Sequence, residues 1–127
     1  MNIGIDIRPL MTAPRTGVGE YTFELLNAIF SIDHDNQYFL FFNSSRDVSA
    51  NIPEWKYDNI KIIGSHTPNK FFNTALGLFG RPRLNKLCGA QKIDIWFSPN
   101  LNFTALSRDV KYILTIHDLS FDFFPEF

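Results

Sequence analysis

The chain opens with IGIDIRPLMTAPRTGVGEYTFELL (residues 3–26), and this stretch predicts a buried strand, a glycine loop and a helix, in that order. The run from Ile3 to Ile7 is short, apolar and β-branched, which is typical of a buried strand. Polar residues and glycines then break the run, and apolar residues recur at helical spacing from Tyr21 onward. A glycine turn that opens a helix places free backbone N–H groups at the carboxyl edge of a sheet, which suits a phosphate.

The glycine motif is incomplete as a nucleotide signature. Gly17 and Gly19 give G-x-G, but Thr22 stands where a dinucleotide-binding fingerprint has its third glycine. The loop from Arg8 to Thr16 is also longer than the tight turn of that fingerprint. The motif therefore leaves two interpretations open: an anion-binding helix start, or a flexible loop with a glycine-assisted helix start.

Length and composition predict one globular domain over residues 1–127. Apolar residues make up 45% of the 127 residues and charged residues 20%, so the chain can bury a core. The formal net charge of −1 argues against a nucleic-acid-binding protein, which needs a basic excess. The single cysteine, Cys88, has no disulfide or metal-ligand partner, which favours a reducing compartment. We therefore expect a cytoplasmic protein with at most peripheral membrane association.

Several of the predicted strands are apolar on consecutive positions. Strands buried on both faces have this pattern, which favours a parallel sheet covered by helices. One helix follows the first strand, and a second, with helical spacing from Phe71 to Phe79, is interrupted by Gly80 and Pro82. The predicted fold class is α/β, a doubly wound, mainly parallel Rossmann-like sheet with helices on both faces. The five strands begin with the run from Ile3 to Ile7 and continue as Gln37–Asn43, Asn59–Gly64, Ile93–Asn100 and Lys111–Ser120.

Polar residues follow three of these strands, at the edge where an open parallel sheet binds its ligands. Because the carboxyl ends of parallel strands meet at one edge, we expect these groups to face one rim together. They are Arg8, Arg15, Thr16, Gly17 and Gly19 after strand one, Ser98, Pro99 and Asn100 after strand four, and Thr115, His117, Asp118 and Ser120 after strand five.

His117 is the strongest single candidate for chemistry. It leaves an apolar strand, where its imidazole could exchange a proton or a hydrogen bond with a substrate hydroxyl. The alternative is a structural histidine bonded to a nearby carbonyl. Arg8 fits either a ligand phosphate or carboxylate, or an ion pair with an acidic neighbour. Asp6 fits a buried, hydrogen-bonded carboxylate that positions the Arg8 turn, and Asp118 fits a helix cap as well as a catalytic role.

Four blocks of the chain resemble the amino-terminal half of bacterial GT-B glycosyltransferases of the family 4 (group 1) type. The blocks are GIDIRPL, RTGVGEYTFELLNAI, DIWFSPN and ILTIHDLSFDFFPEF, and the stretch from Ser44 to Gln91 carries little of the resemblance. That family has two Rossmann-like domains that face a cleft. The amino-terminal domain holds the acceptor, and the other holds most of the nucleotide-sugar donor, including a Glu-x7-Glu pair. Transfer in that family retains the anomeric configuration and usually needs no metal.

The resemblance implies roles for individual residues. Gly17 and Gly19 would approach the diphosphate of the donor across the cleft, and His117 would contact the transferred sugar near the reaction centre. We expect neither a metal site nor a cofactor. Acceptor specificity would lie in the variable loops Ser44–Trp55 and Thr67–Pro82. Acceptor-side or supporting roles fall to Arg8, Arg15, Asn100 and Asp118.

The chain departs from that family because nothing in it matches the donor-binding domain. It also ends on FDFFPEF, with apolar Phe121, Phe123, Phe124 and Phe127, so we expect a truncated domain that is inactive alone. The predicted partners are a nucleotide-sugar donor when the second domain is present, a sugar, lipid or polysaccharide acceptor, and a further copy of the chain. The alternative function is a non-catalytic interaction or oligomerisation module that retains the fold.

Overall fold

A computed structural model describes residues 1–89 and 91–118, and a five-stranded sheet forms its centre. The strands are β1 (Asn2–Asp6), β2 (Gln37–Asn43), β3 (Ile60–Ser65), β4 (Ile95–Ser98) and β5 (Lys111–Leu114). Their order is β3-β2-β1-β4-β5, and each neighbouring pair is parallel. The predicted α/β class with a parallel sheet is confirmed.

Three helices connect the strands within the described residues. They are α1 (Gly17–Ile32), α2 (Asn69–Phe79) and α3 (Leu84–Leu87), with short 3-10 turns at Arg8–Leu10 and Ser49–Asn51. Thr16 caps α1, because its hydroxyl accepts a hydrogen bond from the backbone N–H of Gly19 at 3.5 Å. α2 ends at Gly80, whose φ of 59° lies in the left-handed region that glycine adopts without strain. The predicted interruption at Gly80 is confirmed.

The two faces of the sheet bury different hydrophobic clusters. On one face, Leu26 and Phe30 of α1 pack with alternate residues of β1 and β2. On the other face, Phe72 and Leu76 of α2 pack with the remaining residues of β2 and with β4. Successive side chains from Tyr38 to Phe41 pack alternately in the two clusters, one on each face of the sheet. This explains why β2 is apolar on consecutive positions. The predicted helices on both faces are confirmed.

Two strands are shorter than the sequence predicts. Strand four was expected over Ile93–Asn100, but β4 ends at Ser98, because Pro99 has no N–H to continue the ladder. Strand five was expected to run to Ser120, but β5 ends at Leu114. The backbone N–H of Thr115 makes the last bond to β4, at 3.0 Å to the carbonyl of Ser98, where β4 itself ends. Ser120 and the apolar carboxyl-terminal stretch, residues 121–127, lie outside the described residues.

The carboxyl end of α1 is tied to β2 by the carboxylate of Asp33. This carboxylate accepts hydrogen bonds from the hydroxyl of Tyr38 and the side-chain amide of Asn36, both at 2.6 Å, and from the backbone N–H of Asp35 at 3.0 Å. The hydrogen bond from Asn36, followed by that from Tyr38, holds the pKa of Asp33 well below its usual range. Burial, together with the Asp33 carboxylate, raises the pKa of Tyr38.

We expect Asp33 to make the stability of the fold depend on acid. Its folded-state pKa lies below the unfolded value of about 4, so its contribution is complete above that pH and is lost as the pH falls further. In urea unfolding, the Asp33→Asn variant should therefore lose less stability than the unsubstituted chain between neutral and acidic pH. Asp35→Asn, which changes an exposed carboxylate two residues away, is the control. Identical pH dependence for both variants would contradict this assignment.

Gly4 of β1 lies directly beneath the ring of Trp96 on β4. A Cβ atom at residue 4 would overlap Cε3 of Trp96 and lie 2.7 Å from its Cζ3. We expect Gly4→Ala to destabilise the fold by about 1–3 kcal/mol, because the fully buried indole has to move. Gly17→Ala is the matched control, since a Cβ at residue 17 has no atom within 4 Å. Urea unfolding measures both, and equal stability of the two variants would refute the packing argument.

Candidate functional site

The carboxyl ends of the central strands surround a polar cavity of about 210 Å³. The strand order reverses around β1, which has β2 on one side and β4 on the other, and open α/β sheets bind ligands at such a switch point. The lining side chains come from the segments that follow β1, β2 and β4 and from the first turns of α2. They are Arg8, Pro9, Met11, Asn43, Asn69, Phe72, Asn73, Asn100 and Asn102.

Arg8 lines this cavity, and the carboxylate of Asp6 neutralises its positive charge. Its Nε donates to Oδ1 of Asp6 at 2.9 Å and its Nη2 to Oδ2 at 2.6 Å, and the two side chains are only 6% and 2% exposed. The backbone N–H of Arg8 also donates to Oδ1 of Asp6 at 3.0 Å, so the expected buried carboxylate that positions this turn is confirmed. Nη2 further donates to the carbonyl of Phe103 at 2.9 Å. The acceptor-side role of Arg8 stays a prediction.

The asparagines give the cavity its chemical character. Asn43 is 2% exposed, and its Nδ2 donates to the carbonyl of Thr67 at 2.9 Å and to Oδ1 of Asn69 at 2.8 Å. Among the described residues, Oδ1 of Asn43 has no hydrogen-bond partner, and neither do the side-chain amides of Asn73, Asn100 and Asn102. Each amide both donates and accepts, so together they match ligand hydroxyl groups.

His117 sits at the exit of β5 and is held by a backbone carbonyl. Its Nε2 donates to the carbonyl of Pro99 at 2.6 Å, which is the contact expected of a structural histidine. With the proton on Nε2, Nδ1 of a neutral ring keeps its lone pair, and it has no hydrogen-bond partner among the described residues. The bond therefore orients the ring and leaves one nitrogen for a ligand. The catalytic role of His117 stays a prediction.

The amino-terminal end of α1 lies beside His117, as the topology predicts. The ring of Tyr21, one turn into α1, meets the His117 imidazole edge to face with centroids 4.8 Å apart. The Tyr21 hydroxyl also lies 3.3 Å from the hydroxyl of Thr115. Strand β5 and the glycine-containing helix start therefore share the carboxyl edge of the sheet.

Gly17 and Gly19 occupy different environments at this helix start. Gly17 is exposed, and the backbone N–H groups of Gly17 and Val18 have no acceptor among the described residues. Gly19 is buried, and a Cβ there would lie 3.1 Å from the carbonyl oxygen of Pro9. The absence of a side chain at residue 19 thus lets the Arg8–Leu10 turn pack against α1. Contact of either glycine with a diphosphate stays a prediction.

The two other predicted site residues lie away from the cavity lining. The Arg15 guanidinium stacks 4.0 Å above the ring of Phe23, and its Nη1 lies 3.8 Å from Oε1 of Glu20, so its side chain packs along α1. Asp118 follows His117 and is exposed. The supporting roles assigned to Arg15 and Asp118 are not addressed by these contacts and stay predictions.

Four of the five asparagines that line the cavity are absent from the sequence-based prediction: Asn43, Asn69, Asn73 and Asn102. That prediction rests on the residues after strands one, four and five, although strand two ends on Asn43 and Asn69 lies after strand three. Extending the same rule to every strand end would have found Asn43 and Asn69. Asn69 and Asn73 do fall within Thr67–Pro82, one of the two segments expected to set acceptor specificity.

No family model, curated protein or solved structure matches the chain. Within residues 1–89 and 91–118, no group of three or more His, Cys, Asp or Glu side chains is placed to bind a metal ion. None of the helices in this part of the chain is long and apolar enough to cross a bilayer. Fold and site together define a doubly wound α/β domain with an amide-lined cavity at its switch point.

We expect the Asp6–Arg8 pair to be essential for the fold at this edge. Asp6→Ala leaves the Arg8 guanidinium buried and uncompensated, which should cost about 3–5 kcal/mol of stability. Glu20→Gln removes the exposed partner of Arg15 and should change stability by about 0.5 kcal/mol or less. Urea unfolding compares the two variants, and a cost for Asp6→Ala no larger than that of Glu20→Gln would show that the pair is dispensable.

Proposed function

We propose that the chain is the acceptor-side domain of a retaining glycosyltransferase, which moves a sugar from a nucleotide-sugar donor to a hydroxyl acceptor. The observation that carries the proposal is the amide-lined cavity at the switch point, with His117 and the start of α1 at the same edge. The resemblance of the four sequence blocks supports the type of reaction, and the doubly wound α/β fold agrees with it.

The acceptor side of the proposal follows from the cavity lining. Carbohydrate hydroxyls donate and accept at once, as side-chain amides do, so Asn73, Asn100 and Asn102 suit a neutral sugar. Because Asp6 already neutralises Arg8, the cavity offers no free positive charge from that residue to attract an anionic acceptor. Several hydrogen bonds to one sugar would hold a single acceptor hydroxyl in a fixed position, and such positioning is a main source of rate enhancement.

The donor side follows from the helix start. The N–H groups of Gly17 and Val18 and the positive end of the α1 dipole favour a diphosphate. Each such group stabilises a charge by about 0.3–1 kcal/mol, which is too little to offset the freedom that a ligand loses on binding. The donor therefore needs a second binding surface, and this chain alone should bind nucleotide sugars weakly and transfer nothing. His117 would hydrogen-bond the transferred sugar through Nδ1.

Binding of neutral saccharides to the chain tests the acceptor site. Saturation-transfer NMR with a panel of neutral mono- and oligosaccharides should detect weak binding. Asn73→Ala should weaken it about three- to tenfold, because one hydrogen-bonding amide is lost from the cavity. Gln91→Ala, which removes an amide from a different cavity, is the matched control. Absence of binding across the panel, or equal binding by both variants, would favour the non-catalytic interaction module instead.

Transfer kinetics test the role of His117. The protein assayed contains this chain together with a donor-binding domain. His117→Ala should lower the transfer rate by about 10²–10⁴-fold, as expected for a positioned hydrogen-bonding or acid–base group. Its fold stability should change by only about 1 kcal/mol, because the residue is exposed. A near-normal transfer rate would leave His117 with only its structural bond to Pro99.

A further inference from the structure

Helix α2 carries large apolar side chains on its outer surface as well as on its packed side. Phe71, Leu78 and Phe79 are 71–74% exposed. Phe103, from the segment after β4, is 56% exposed and packs beside α2, since a Cβ at Gly77 would lie 3.3 Å from its Cε1. We call Phe71, Leu78, Phe79 and Phe103 the α2 surface. Several large apolar side chains exposed on neighbouring segments are typical of an interaction site.

The segment that contains α2 carries charges of one sign only. Residues 59–93 contain six of the chain's 12 Lys and Arg residues and none of its 13 Asp and Glu residues. Lys70 precedes Phe71 within α2, Arg81 follows Phe79 by two residues, and both are exposed. The apolar side chains are therefore bordered by cations at both ends of the helix, and the surface is complementary to an anionic, partly apolar partner.

We propose that the α2 surface docks on an anionic lipid bilayer. The side chains of the α2 surface would enter the boundary between headgroups and acyl chains. Lys70 and Arg81 would lie at the lipid phosphates. A helix with apolar side chains on its outer face and cations at its ends is the pattern of an interfacial helix. The docking itself does not depend on the proposed transferase function.

A second copy of the chain fits this surface less well than a bilayer does. A two-fold symmetric contact brings the same patch of both copies together, so each Lys70 and Arg81 would face the cations of its partner. The segment 59–93 supplies no carboxylate that could compensate them. An anionic bilayer offers both the apolar environment and the negative charge that the surface lacks.

The polar cavity and the α2 surface are built from the same two segments of the chain. Asn69 and Asn73 of α2 line the cavity, and Asn102 directly precedes Phe103. The same two segments thus carry both the amide groups and the apolar side chains.

Vesicle co-sedimentation of the 127-residue chain tests the docking. We expect binding to phosphatidylcholine vesicles that contain about 30 mol% phosphatidylglycerol, weaker binding at high salt, and little binding to pure phosphatidylcholine. The double variant Lys70→Gln/Arg81→Gln should bind about 30-fold more weakly, because two cations near the surface are lost. Phe71→Gln/Leu78→Gln should bind at least about tenfold more weakly at every salt concentration.

Ile32→Gln provides the matched control. Ile32 is 82% exposed but ends α1, which packs on the opposite face of the sheet. This variant should bind vesicles like the unsubstituted chain, and urea unfolding confirms that all variants are folded. The proposal is overturned if anionic vesicles do not bind the chain, or if Phe71→Gln/Leu78→Gln binds them normally. Light scattering measures self-association. If the unsubstituted chain self-associates but does not bind vesicles, and Phe71→Gln/Leu78→Gln no longer self-associates, the surface binds a second copy instead.

Discussion

The ion pair between Asp6 and Arg8 determines the geometry of the carboxyl edge. It closes the turn after β1 through three hydrogen bonds to the Asp6 carboxylate, and Arg8 reaches across to the carbonyl of Phe103 in the segment after β4. The two segments that meet at the switch point are thereby joined through one guanidinium. Such a pair is costly to break because either partner alone would be a buried charge. It also removes a free positive charge from the cavity, whose lining then depends on amides.

The sheet could be predicted from the sequence because the signals are local and redundant. Strand β2 is apolar at every position from Tyr38 to Phe42, and only a strand with both faces covered tolerates such a run. The break after α2 was equally readable, since Gly80 adopts the left-handed conformation that ends helices. The end of β5 was not, because β5 stops where its neighbour β4 ends, and that end is set by Pro99, elsewhere in the chain.

The candidate site could be predicted only in part, for the same reason. The partner of Arg8 was foreseeable because Asp6 is two residues away on the same turn. The carbonyl that holds His117 belongs to Pro99, 18 residues away, and Asn43 bonds Asn69 across 26 residues. Sequence reasoning named one asparagine of the cavity, Asn100, and treated each strand end separately. The cavity exists because several strand ends converge, so no single segment carries its signature.

Charge distribution carries information that net charge conceals. The overall value of −1 suggests a chain without a preference for anions, yet residues 59–93 are entirely free of carboxylates. Net charge averages over the molecule, whereas an interface responds to charges within about a Debye length, roughly 8–10 Å at physiological salt. The cavity and the α2 surface share α2 and the segment around Asn102, but one is lined by amides and the other is apolar and bordered by cations. The two proposals therefore assign two kinds of recognition to one helix: hydroxyl-bearing ligands at its amino-terminal turns and an anionic lipid surface along its outer face.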